Sequence, residues 1–165
     1  MAEEPEAVGA PLSIGVLHGP NLNLLGTREP ETYGSVTLAE IGERIGAAAD
    51  AARVTVTSFQ SNHEGALIDW VQEGATGVDG FLVNAGGYTH TSVALRDALV
   101  ASRRPYVEVH LSNVHAREPF RHVSLLADRA LGVVSGFGAD SYDLAFRGLI
   151  QYLRRPSQAG SHPRS

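Results

Sequence analysis

Apolar residues recur along this chain in two alternating rhythms. The runs LSIGVLH (12–18), VTVTSFQ (54–60), GFLVN (80–84), PYVEVHLS (105–112) and LGVVSGFG (131–138) have the length and β-branched content of strands. Between them, apolar positions fall three and four apart, as on the buried face of a helix. TLAE at 37–40 predicts a capping box, with Thr37 as N-cap and Glu40 at N3; Leu38, Ile41 and Ile45 then carry a helix to about residue 52. A second box, Ser61 to Glu64, opens a helix through EGALIDWVQEGA. In AGGYTHTSVALRDALVAS two glycines lead from the third strand into a helix, and Asp140 to about Leu153 closes the pattern as an amphipathic helix.

Strands that alternate with helices predict a parallel sheet covered on both faces, because right-handed crossovers place the helices there. The expected fold class is α/β: a flavodoxin-like three-layer sandwich with a five-stranded parallel sheet in the order 2-1-3-4-5. One domain is expected over 1–165, with Pro/Gly/Ser-rich ends at about 1–10 and 156–165 read as disordered tails. In this architecture ligands bind beyond the carboxyl ends of the first and third strands, so polar residues just past each strand are the candidates for chemistry.

Those positions are well supplied. Past the first strand stand His18, Asn21 and Asn23, followed by GTREPETYG (26–34). That segment is longer than the roughly 2–6 residues of an ordinary βα connection. It holds Arg28 and Tyr33 between two glycines, Gly26 and Gly34, which can act as hinges of a lid. Past the third strand come Asn84 and His90. Glu108 and His110 lie two apart on the fourth strand and so share one face of an element that should be apolar on both sides. A carboxylate beside an imidazole fixes its tautomer and supports the imidazolium, which makes a general acid. A satisfied structural pair is the alternative reading of the same two residues.

Composition removes several classes of function. All thirteen basic residues are arginine and no lysine is present, which excludes lysine imines and P-loop lysines and leaves guanidinium as the only side-chain cation besides histidine. No cysteine is present, so disulfides and thiol nucleophiles are excluded. A net charge of −5 speaks against a general nucleic-acid binder. No apolar run approaches the roughly 18 residues of a membrane span, and MAEEPEAVGAPLS shows no secretory pattern, so a cytoplasmic protein is expected. The seven histidines show no HExxH-type spacing, and no metal is expected. A phosphoacceptor module would want acidic residues after the first strand and a lysine after the fifth. A flavin phosphate loop would be Ser/Thr-rich where this chain has GPNLNLLG.

LHGPNLNLLGTREPETYG, SNHEGALIDWV, NAGGYTHTSVALRDAL and VEVHLSNVHAREPFR together resemble the signature regions of type II 3-dehydroquinate dehydratase, in the right order and over about residues 12–153. The resemblance implies a hydro-lyase that converts 3-dehydroquinate to 3-dehydroshikimate through an enolate, without a cofactor, in a homododecamer built as a tetramer of trimers. It implies Tyr33 as the base, with Arg28 favouring its phenolate, and His110 as the acid, oriented by Glu108. Asn21 would stabilise the enolate oxygen, although an Asn in a GPN turn also serves the backbone. Asn84 and His90 would hold ring hydroxyls, the backbone amides of Leu111 and Ser112 the carboxylate, and Arg121 the opposite side of the substrate. Asp97 would reach a neighbouring subunit's site; on its own it reads as a solvated helix charge. Arg117 reads as a support of its loop or a partner of Glu118. Trp70 reads as core.

Overall fold

A computed structural model describes residues 11–156. The expectation of disordered ends falls, apart from residue 156, outside the described residues. The strands are β1 (Ser13–His18), β2 (Thr55–Gln60), β3 (Gly80–Asn84), β4 (Tyr106–His110) and β5 (Gly132–Ser135). They form one all-parallel sheet, as the alternating pattern predicted, in the expected flavodoxin-like order β2-β1-β3-β4-β5.

Side-chain alternation along the strands divides the core in two. Ile14, Val16, Leu82, Val107 and Val109 face α2 (Leu38–Ala52) and α5 (Asp140–Leu153). Leu17, Phe81, Val83 and Tyr106 face α3 (Glu64–Gly74) and α4 (Val93–Ser102). Because β3 and β4 are covered on both faces, every residue of each is buried, the polar Asn84, Glu108 and His110 included. Trp70 packs into the second layer, stacked on Phe59 at 5.6 Å between ring centroids and edge-on to Phe81 at 5.9 Å. Among the described residues no helix is long and apolar enough to cross a membrane.

Helix starts show where local signals prevailed and where they did not. Thr37 and Glu40 form the predicted box: Thr37 Oγ1 accepts from Glu40 N–H (3.2 Å) and Glu40 Oε2 accepts from Thr37 N–H (2.7 Å). Such a cap is worth about 1 kcal/mol. The second predicted box does not form. His63 is the N-cap of α3, Ser61 Oγ accepts from His63 N–H (3.0 Å), and the Glu64 carboxylate instead accepts from the buried Ser92 hydroxyl. Glu64 therefore sits at the first position of its helix and serves a tertiary contact between α3 and α4.

Two further expectations are corrected in detail. The glycines after β3 lie in a 3-10 turn, Gly86–His90, and the helix begins only at Val93, with Ser92 Oγ capping Leu95 N–H at 2.9 Å. The 26–34 segment contains one helical turn, α1 (Pro30–Tyr33), because Pro30 at the first helical position has a preset φ and no N–H to leave unpaired. Gly26 (φ 86°) and Gly34 (φ 78°) bracket this turn in backbone that favours glycine.

Candidate active site

A cleft opens beyond the carboxyl ends of β1, β3 and β4, where the fold predicted it. Of the candidates, Tyr33, Asn84, His90, His110, Leu111, Ser112 and Arg121 line it, together with Arg117. Glu108 lies behind His110. Asn21, Arg28 and Asp97 do not line it in this chain.

Parallel register builds the floor. His18 ends β1 opposite Asn84, the last residue of β3, and both are buried. Beneath them α5 inserts Tyr142, which is 1% exposed. Tyr142 OH accepts from Asn84 Nδ2 (3.0 Å) and donates to His18 Nδ1 (2.8 Å). Asn84 Oδ1 accepts from Gly86 N–H (3.3 Å), so its amide orientation is set from both ends. Burial lowers the His18 pKa to about 4, which keeps the ring neutral, and the phenol's single proton, on an oxygen that already accepts from Asn84, takes Nδ1 as its acceptor. Desolvation pushes the Tyr142 phenol upward.

The two imidazoles of the cleft stack with centroids 6.5 Å apart and planes 15° apart. His110 Nε2 lies 2.5 Å from Glu108 Oε1, deep in the sheet, where Glu108 is 1% exposed. A carboxylate only accepts, so the proton of that bond sits on Nε2 and Nδ1 is the atom left for a ligand. Ser124 Oγ donates to the other Glu108 oxygen at 2.9 Å. His90 Nδ1 donates to Val123 C=O (2.8 Å), which leaves Nε2 as the nitrogen free for a ligand.

On the opposite wall, Tyr33 OH accepts from Arg117 Nη1 at 2.7 Å, with the guanidinium carbon 5.1 Å from the ring centroid. Arg28, expected to supply this charge, stands 6.0 Å over the ring and 3.9 Å from Glu29. The guanidinium nearest the phenol oxygen is thus Arg117, which also lies 3.7 Å from Glu118 as expected. Arg121 Nε donates to Glu118 at 2.8 Å. The carbonyls of Leu111 and Ser112 accept from Gly138 N–H (2.9 Å) and the Ser135 hydroxyl (3.1 Å), which fixes the backbone that carries their amides. Asn21 has the left-handed backbone (φ 67°) of its turn reading, and Asp97 is exposed on α4. Among the described residues no three His, Asp or Glu side chains converge as metal ligands would.

The family model for class II dehydroquinase matches residues 12–150. The chain belongs to the class II dehydroquinase family. Among similar proteins, the 3-dehydroquinate dehydratase of Synechococcus sp. (strain WH7803) is 61% identical over 139 residues, 84% of this chain and 95% of that protein. That of Bordetella avium (strain 197N) is 56% identical over 141 residues, 85% and 98% of the two chains. The crystal structure of a type II dehydroquinase from Butyrivibrio crossotus DSM 2876 superposes with a TM-score of 0.84 at 42% identity, over 86% of this chain and 99% of that one. A type II dehydroquinase from Propionibacterium acnes gives 0.81 at 33% identity, over 86% and 99%.

Most residues that line the cleft of this dehydroquinase-family chain are legible in its sequence, whereas three of its contacts are not. From sequence, Arg117 reads as a support of its loop or a partner of Glu118, Tyr142 reads only as part of a helix, and Ser124 carries no signal. No local pattern marks any of them, since each reaches its partner across the fold.

Proposed function

We infer that the chain is a 3-dehydroquinate dehydratase, a hydro-lyase that removes water from 3-dehydroquinate to give 3-dehydroshikimate. One observation carries the mechanism: a phenol held by a guanidinium at 2.7 Å faces an imidazole backed by a buried carboxylate, across a single cleft. Tyr33 takes the proton from the carbon beside the ketone. Arg117 on the phenol oxygen, with Arg28 over the ring, favours the phenolate, since a guanidinium stabilises the negative form and never competes as an acid. The electron pair moves onto the ketone oxygen as an enolate, which Asn21 stabilises through a water.

The enolate then collapses and expels the neighbouring hydroxyl, which leaves as water with a proton from His110 Nδ1. Glu108 supports the imidazolium that gives this proton. Asn84 and His90 hold ring hydroxyls, the amides of Leu111 and Ser112 hold the carboxylate, and Arg121 closes the other side. An enamine route needs a lysine, and the chain has none. The reading carries with it a cytoplasmic protein and a homododecamer in which Asp97 reaches a neighbouring subunit's cleft, a role that its exposure on α4 permits.

The purified chain mixed with 3-dehydroquinate should generate the ultraviolet absorbance of a conjugated enone, at the same rate with and without EDTA. No absorbance at high protein concentration would overturn the reading, and sedimentation velocity tests the assembly.

A further inference from the structure

We propose that Ser124 is a positioning residue for the general acid, aiming His110 through Glu108. The inference rests on the reading of His110 as the proton donor. A serine hydroxyl has one proton and two lone pairs. Both acceptor sites of Ser124 Oγ are taken, by the N–H groups of Leu126 (3.0 Å) and Ala127 (3.0 Å). Its single proton is therefore committed to Glu108 Oε2 at 2.9 Å. Where most hydroxyls rotate, this one points in one direction.

Glu108 depends on that direction. Its side chain is 2% exposed, and among the described residues its one ionic partner is His110. The terminal torsion of a glutamate is broad and soft, so a carboxylate gripped at one oxygen alone can swing. Ser124 grips the second oxygen, which fixes the line from Oε1 to His110 Nε2 and with it the plane of the imidazole. The serine is itself anchored: Leu125 N–H donates to Thr89 C=O (2.8 Å), and Tyr106 OH donates to Leu126 C=O (2.5 Å). The preceding residue, Val123, accepts from His90. One short segment after the arginine-bearing turns thus orients both imidazoles of the cleft.

The test separates proton abstraction from water loss. Wild type, Ser124→Ala, Ser124→Thr and His110→Ala are incubated with 3-dehydroquinate in deuterated water. Enone absorbance reports dehydration, and mass spectrometry of the remaining substrate reports deuterium at the reacting carbon. Loss of a hydrogen bond to a charged group predicts dehydration about 10- to 100-fold slower in Ser124→Ala. The deuterium incorporated per turnover should rise, KM should change little, and Ser124→Thr should restore most of the rate. A merely structural role would lower exchange and dehydration together, and an unchanged ratio would overturn the proposal. Should Ser124→Ala not fold, Ser124→Cys keeps the shape with a weaker donor and is read by the same ratio. If His110→Ala dehydrates like wild type, the acid assignment itself fails; if its ratio rises while that of Ser124→Ala does not, only the Ser124 inference fails.

Discussion

Acid should loosen this protein through His18, and the size of the effect follows from the cleft floor. His18 is 3% exposed, and desolvation by burial holds the ring neutral in the folded state and lowers its pKa from 6.5 to about 4. The unfolded chain binds the proton first. The stability contributed by the neutral ring is therefore complete above the ordinary histidine value, is lost as pH falls from 6.5 towards 4, and declines no further below that. A shift from 6.5 to about 4, at roughly 1.4 kcal/mol per pH unit, limits the loss to about 3 kcal/mol, of which about 2 kcal/mol is lost between pH 7.5 and 5. His18→Asn places Oδ1 close to the position of Nδ1, an acceptor that does not titrate. Urea unfolding followed by circular dichroism, at one protein concentration throughout, gives both stabilities at each pH. All other titrating groups are common to the two proteins, so the gap between them isolates His18. The variant should lose about 2 kcal/mol less than wild type between pH 7.5 and 5. A gap that stays constant across that range would refute the argument.

Arg117→Ala removes the guanidinium hydrogen-bonded to Tyr33 and should slow deuterium exchange at the reacting carbon by about 10- to 100-fold; exchange at the wild-type rate would return that role to Arg28 alone. Gly34→Ala puts a side chain at φ 78°, ψ −177°, a region that costs about 1–3 kcal/mol for any other residue. The strain should displace the 26–34 segment and lower kcat/KM, and an unchanged kcat/KM would show that Gly34 is not a hinge.

Much of the fold and of the cleft was legible in the sequence because both depend on local rules. Strand and helix periods, the Thr37 capping box and the glycines at 26 and 34 act over a few residues, and the parallel sheet follows from their alternation. The sheet order then placed Asn84, His90 and His110 at one end, since carboxyl ends of parallel strands converge. The Glu108–His110 pair was visible for the same reason: two positions along a strand share a face, whatever surrounds them.

What only the tertiary structure decided is which partner each of these groups has. Arg117 and Tyr33 are 84 positions apart, Tyr142 and Asn84 are 58 apart, and Tyr142 and His18 are 124 apart. No period or cap encodes such distances; they arise when helices dock on the sheet and a buried polar atom takes the nearest donor or acceptor available. The same competition diverted Glu64 from its predicted cap to Ser92, because a buried hydroxyl without a partner costs more than an exposed helix end solvated by water. The sequence by itself determined the scaffold and the chemical groups at its open end. Packing determined their orientation, with Arg117 on the phenol, Tyr142 beneath the asparagine and Ser124 behind the acid.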